Sequence, residues 1–360
     1  MATYFNSHKL TRIAIQVFSF LFLLGCLGRI DIDTDPLANQ LVVSGQVSTV
    51  EEENLVELGR TAGTGRLPFP LVGASVILHD DAGNSYTWNE YPEHPGQYKP
   101  IGFSGVPGRT YHIQIILPEG DVYESDPETM PEHSGTDALR YAFEEEEFID
   151  AEGIVSNLPF IKIYTNATLP DSNAPMFARW SVIECYAIRP TDFPDPFGNV
   201  PPPCYVTQAA DPQRIVLLNG TELNNPSVQN LLLCSRLIDR SFFERHYFTV
   251  YQSSMTGQAY DYWRKVNIVA NQVGSIFDTP PAAIKGNISK VGGSGEPVLG
   301  YFQAVNQTYD RFFLLPGDIP FQIPYTSCLY DPFKSGDQYP GECLDCISVR
   351  NSSHVRPDWF

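Results

Sequence analysis

The sequence predicts a mainly β fold: an N-terminal β-sandwich followed by a larger β-rich domain with one amphipathic helix at about 257–273. Three observations point there. The chain holds 30 prolines and 27 glycines, which interrupt helices and mark turns. Its 22 phenylalanines and 19 tyrosines suit a pleated, half-buried surface. Alternating apolar and polar runs recur about every 8–12 residues, the spacing of a sandwich. A 42% hydrophobic content with only 18% charged residues is too apolar for a disordered acidic chain. With 42 acidic against 23 basic side chains and a net charge of −19, the chain has no basic excess with which to neutralise phosphates, and a nucleic-acid partner is excluded on that ground.

In chain order, the first element is a targeting segment. Lys9 and Arg12 precede an uncharged apolar run at residues 13–25, too short to span a bilayer as a helix and typical of a signal peptide. Leu23-Leu24-Gly25-Cys26 resembles the bacterial lipobox, in which the cysteine is acylated and becomes the new N-terminus. Residues 1–25 are therefore expected to be a lipoprotein signal peptide and Cys26 the membrane attachment. Their removal takes away two basic residues and no acid, which moves the charge from −19 to −21. Residues 26–40 then form a tether carrying Asp31, Asp33 and Asp35. Acids close behind an acylated cysteine suit export to the cell surface, with the periplasmic face as the alternative.

Residues 41–130 are expected to be the β-sandwich. Leu41–Val47 and Ala74–His79 alternate, and Asp80-Asp81-Ala82-Gly83-Asn84 is a turn signal joining the second run to Tyr86-Thr87-Trp88 in a hairpin. Pro95-Gly96 and Pro107-Gly108 place turns before aromatic strand starts, Thr110–Leu117 alternates cleanly, and Gly120 leads into Val122-Tyr123. The order of these turns and strands resembles the carboxypeptidase regulatory-like, transthyretin-type module, an Ig-like sandwich that is usually non-catalytic.

Residues 131–360 form the second zone. The run Glu144–Glu147 is expected in a solvated loop or on a sheet edge, where charge discourages pairing. Strand-like runs follow at 160–164, 178–187, 214–218 and 246–252. From Gly257 to Val273, apolar residues at Ala259, Tyr262, Trp263, Val266, Val269, Ala270 and Val273 recur at helical spacing and predict a stripe packed on a sheet. Gly286-Asn287 suits a positive-φ turn into a strand at Ile288–Val291, and Gly292–Gly295 a loop before one at Val298–Val305.

Cysteine usage fits an oxidising compartment. With Cys26 assigned to lipid, Cys185, Cys204, Cys234, Cys328, Cys343 and Cys346 remain, an even set whose default is three disulfides with the connectivity open. Cys343-Leu-Asp-Cys346 is also the spacing of a redox pair, but it lacks a βαβ context. A four-cysteine zinc site is a weaker rival, and no metal or cofactor is predicted.

The stretch Ala259–Trp263, then Gly274–Pro281, Lys285–Ile288 and Glu296–Phe302, with the tail Cys343–Cys346 and Arg356–Phe360, resembles a family of Bacteroidota lipoproteins called domain of unknown function 4249. The resemblance implies an outer-membrane lipoprotein, lipid-anchored and often encoded beside a TonB-dependent receptor. It assigns no catalytic residues.

Independently of the family, catalysis leaves few traces. None of His79, His94, His112, His133, His246 and His354 forms an HExxH or similar pattern, and GxSxG and P-loop motifs are missing. The leading expectation is a non-enzymatic lipoprotein accessory to an outer-membrane β-barrel, either a TonB-dependent transporter or a barrel-assembly complex. A surface glycan- or nutrient-binding lipoprotein, resting on the abundance of aromatics, is the alternative. A secreted hydrolase is the third reading.

Overall fold

Strict alternation shapes most of this chain. Thr110–Ile116, for example, buries every second side chain, as a strand with one face on a core must. The computed structural model describes residues 39–62, 68–149, 153–169, 176–191, 201–223, 227–271, 284–293, 298–323, 328 and 330–360. The expected signal peptide, Cys26, nearly all of the tether and the Gly274–Pro281 segment lie outside these residues.

The first strands are β1 (Leu41–Ser48), β2 (Leu55–Arg60), β3 (Phe69–Pro70), β4 (Ser75–Asp80), β5 (Ser85–Glu90), β6 (Gln97–Lys99), β7 (Thr110–Ile116), β8 (Val122–Ser125) and β9 (Glu128–Thr129). They are followed by β10 (Thr136–Ile149), β11 (Val155–Thr168), β12 (Phe177–Ile188), β13 (Cys204–Ala209), β14 (Val216–Asn219), β15 (Ser227–Leu237) and β16 (His246–Met255). After the helix Gly257–Ala270 come β17 (Ile288–Lys290), β18 (Leu299–Leu314) and β19 (Ser352–Ser353). The fold is mainly β, as the composition implies.

The predicted hairpin forms: β4 pairs antiparallel with β5 in the register Val76↔Trp88 to His79↔Ser85. Asp80 Oδ1 accepts from the amides of Ala82 and Asn84, which fixes the turn between them. Strands β17, β8, β7, β4 and β5 continue through β6, β2 and β1 to β18 in one hydrogen-bonded order. The sheet folds over a core that includes Trp88, Tyr98, Tyr111, Ile113 and Phe302.

The sequence division at residue 130 is not a division in space. Two pieces of the C-terminal zone complete the first sandwich. β17 pairs antiparallel with β8, and Leu299–Val305 of β18 runs parallel to β1. A parallel neighbour cannot be reached by a tight turn and must come from a distant part of the chain. The same strand then carries on, Asn306–Leu314 pairing antiparallel with β16, so β18 joins the two sandwiches as one continuous element. Gly300 sits where β18 meets β1 with φ +98°, and a Cβ there would lie 1.9 Å from the carbonyl oxygen of Val43. Only glycine permits that approach.

Gly286-Asn287 does not form the expected positive-φ turn, since neither residue has a positive φ. Gly286 is needed for proximity instead, a Cβ there falling 1.7 Å from Gly300 O. Asn287 acts through its side chain: Oδ1 accepts from Phe302 N at 2.9 Å and Nδ2 donates to Phe302 O at 2.8 Å, in the manner of a missing strand partner.

In the second sandwich, β16, β12, β13 and β19 extend the order beyond β18 and face a separate sheet, β10-β11-β15. The core between them holds Ile161, Ile163, Trp180, Phe242, Phe248 and Val250. Glu144–Glu147 lies in β10, an edge strand of that three-stranded sheet, where its charge blocks further pairing.

The helix starts at a cap, Thr256 Oγ1 accepting from Ala259 N at 3.1 Å, and packs on β12, β14 and β18. Ala259 is buried, while Tyr262, Trp263 and Val266 are half-buried. The expected core stripe is therefore only partly realised: Ala270 is exposed, and Val273 lies outside the described residues.

Candidate functional site

Two surface features and one buried network bear on function. The first feature is the ribbon β10–β11, paired over its full length from Thr136↔Thr168 to Ile149↔Val155. Its third strand, β15, accompanies only Phe160–Thr168, so among the described residues the distal part has no further strand paired on either side. Along the stem, Lys162 Nζ bridges Glu144 at 2.8 Å and Glu146 at 2.7 Å. These carboxylates raise the ammonium's pKa and pin the ribbon's outer face, while Glu145 and Glu147 are exposed. Beyond them Phe148, Ile149 and Val155 are 51%, 65% and 58% exposed. An isolated two-stranded ribbon with an apolar tip is marginal in water, and exposed apolar clusters of this kind mark contact sites.

The second feature is a cleft of about 330 Å³ at the junction of the two sandwiches. It takes Ser44, Gly45 and Gln46 from β1, Glu52 and Glu53 from the 3-10 turn Glu51–Glu53, Lys99 from β6, Arg179 from β12, Tyr262 and Trp263 from the helix, and Gly300, Tyr301 and Gln303 from β18. The Arg179 guanidinium lies over the Trp263 ring, Cζ 3.9 Å from its centroid. Burial pulls the Arg179 pKa down to about 10, against the opposing pull of Glu53. Burial also raises the Glu53 pKa, although a hydrogen bond from Tyr251 and the charges of Lys99 and Arg179 work the other way.

The buried network lies in the second core. Arg236 Nε meets Glu184 Oε2 at 2.7 Å and its Nη1 meets Asp239 Oδ2 at 3.0 Å. His246 Nε2 sits 3.1 Å from the same Glu184 oxygen, and Nδ1 lies 3.5 Å from Ser241 Oγ. A serine, a histidine and a glutamate in a row invite comparison with a hydrolytic triad. The Ser241 hydroxyl, however, donates to Asp239 Oδ1 at 2.6 Å. His246 is fully buried, stacked on Phe242 at 3.9 Å and on Tyr186 at 5.3 Å, so no substrate atom reaches this serine. The network ties β12, β15 and β16 together and is structural.

Two of the three expected disulfides form. Cys204 bonds Cys346 and Cys328 bonds Cys343, so the Cys343–Cys346 spacing is shared between two crosslinks and is not a redox pair. The third is corrected: Cys185 and Cys234 are free and buried. Cys234 belongs to the second core together with Ala178, Trp180 and Val182 of β12. Alternation turns Cys185 to the opposite face of β12, beside Thr207. Burial raises the Cys185 thiol and pushes the Cys234 thiol up to about 12, so both are inert. Cys204, Cys346 and His354 lie within 4.8 Å of one another, but the disulfide engages both sulfurs and leaves no thiolate to ligate a metal.

The C-terminal tail packs through its aromatics. Trp359 lies under the Arg311 guanidinium at 3.7 Å, and Phe360 meets Tyr205 at 4.9 Å and Tyr247 at 5.0 Å.

The sequence reading pointed at Tyr262 and Trp263 but missed Arg179, Lys99 and Glu53. An arginine between Ala178 and Trp180 in a largely apolar strand is the one available signal. Among known proteins, the family model described as Domain of unknown function (DUF4249) matches residues 29–311. No curated protein and no solved structure matches.

Proposed function

Since the chain belongs to the DUF4249 family, whose description names no activity, we propose its role from its surface: it is a non-enzymatic lipoprotein that docks on an outer-membrane β-barrel, a TonB-dependent transporter or a barrel-assembly complex. Acylated Cys26 holds it at the outer membrane, with the folded part facing the cell surface. The observation that carries this reading is the projecting β10–β11 ribbon with Phe148, Ile149 and Val155 exposed at its end. The acidic stem suits a protein partner better than an anionic lipid surface, which would repel Glu145 and Glu147.

Cys26→Ala is expected to abolish acyl labelling and move the protein to a soluble fraction. Unchanged membrane retention would remove the anchor from the proposal. For docking, the measurement is co-purification from detergent-solubilised outer membranes. Phe148→Ser with Ile149→Ser should weaken barrel recovery at least about tenfold, each apolar side chain contributing about 1.5–3 kcal/mol when buried. The melting temperature should not move, since both side chains are exposed. Recovery of the wild-type protein with no barrel, or equal recovery of the variant, counts against docking.

A further inference from the structure

We propose that the cleft at the junction of the two sandwiches binds a small organic carboxylate carrying a single negative charge. This stands apart from docking, for it uses no residue of the ribbon.

The charge pattern is the first argument. Arg179 and Lys99 both line the cleft, and among the described residues neither is within ion-pair distance of a carboxylate. Arg179 Nε is shut off from solvent and has no acceptor among those residues. Lys99 Nζ stands over the Tyr91 ring at 5.2 Å. Glu53 offsets one of the two cations. Glu52 is exposed, where water and salt screen it. One positive charge remains inside, and a monovalent carboxylate matches it. A phosphate monoester, with about 1.5 to 2 charges at neutral pH, exceeds it and would face Glu53 across a small space.

Shape is the second argument. A volume of about 330 Å³ sits at the small end of ligand pockets, enough for one sugar ring or one small hydroxy acid. Gly45 and Gly300 contribute no side chain to the space, and Gly300 cannot acquire one without meeting Val43 O. The wall is held by a chain of hydrogen bonds. Trp263 Nε1 donates to Gln303 Oε1 at 2.8 Å, Gln303 Nε2 to Gln46 Oε1 at 3.0 Å, and Gln46 Nε2 to Glu53 O at 2.8 Å. That chain orients the indole and leaves each amide a second N–H for a ligand oxygen. Tyr262, stacked on Tyr301 at 4.8 Å, offers an apolar surface to the ligand skeleton.

Packing alone does not account for the arrangement. A buried cation with no carboxylate within ion-pair distance costs stability that an apolar residue of similar size would avoid. Here it is kept at the meeting of two bodies, where ligand sites concentrate.

Calorimetric titration of the full chain with galacturonate, lactate, galactose and inorganic phosphate tests the proposal. One of the two acids should bind with a dissociation constant of about 1 mM or tighter. Galacturonate identifies an acidic sugar as the source of the carboxylate, and lactate a small hydroxy acid. Galactose and phosphate should bind at least about tenfold more weakly. Arg179→Met keeps the apolar stem and should weaken the acid by more than about tenfold without lowering the melting temperature. Lys99→Met should weaken it by a smaller factor and serves as the second variant if the first does not fold. The site is refuted if neither acid binds, if phosphate or galactose binds as well as the acid, or if both substitutions leave the affinity unchanged.

Discussion

Replacing Glu184 by leucine is expected to lower folding stability by about 3 kcal/mol, because it leaves a buried guanidinium with Asp239 as its one remaining carboxylate. Glu184 is 1% exposed and meets both Arg236 and His246 through one oxygen. Arg236 keeps its charge in the core because Glu184 and Asp239 outweigh the burial that opposes it. Urea denaturation of Glu184→Leu alongside Glu184→Leu/Arg236→Met separates the two contributions. If the cost comes from the cation that has lost one of its two carboxylates, the double variant recovers most of the loss. A double variant no more stable than the single one would show that the cavity dominates.

The same group sets a pH dependence. Burial alone would raise the Glu184 pKa, but the hydrogen bond it accepts from His246 and the charge of Arg236 hold it below the usual carboxylate range. A depressed folded-state pKa contributes stability that is present above the unfolded value of about 4.3 and lost as pH falls through the folded value. The wild-type protein should therefore lose stability on acidification below about pH 4 more steeply than Glu184→Gln, which has no proton to take up there. Parallel profiles for the two proteins would remove Glu184 from the account.

Loss of the Cys204–Cys346 crosslink should be the other large effect. The bond closes a separation of 142 residues, against 15 for Cys328–Cys343. Loop-closure entropy puts the long crosslink at about 5 kcal/mol and the short one at about 3. The double substitution Cys204→Ala/Cys346→Ala should thus be the more destabilising of the two cysteine pairs by about 2 kcal/mol. It should also raise amide exchange in residues 330–360, whose other ties include β19 on β13, the Arg240–Glu342 ion pair, the Thr191 amide on Cys343 O and the Trp359 and Phe360 contacts. Equal losses from the two pairs would show that local packing and not chain entropy decides the stabilisation.

Much of the local structure was readable along the chain. The β4–β5 hairpin follows from its turn chemistry, the helix from its spacing, and the edge position of Glu144–Glu147 from its charge. The cleft was not readable in the same way. Trp263 drew notice as part of a helical stripe, yet its partners Arg179 and Gln303 come from β12 and β18. The expected third disulfide failed for a related reason: parity in the count of cysteines carries no information about which face of β12 Cys185 occupies. Gly286-Asn287 was noticed for the wrong cause, since glycine serves a turn and a close backbone approach equally well and the sequence does not distinguish them.

The sequence by itself determined the β class, the turns, the run of strands and the helix start, because each depends on side chains within a few residues of one another. Tertiary structure alone decided that β1 takes its parallel neighbour from β18, that Cys204 finds Cys346, that Glu184 is buried against Arg236, and that Arg179 and Lys99 line one cleft with the Trp263 indole. Those pairings join residues tens to hundreds of positions apart. They are selected by which faces can be buried together once the sheets have formed, and a one-dimensional pattern does not record that competition.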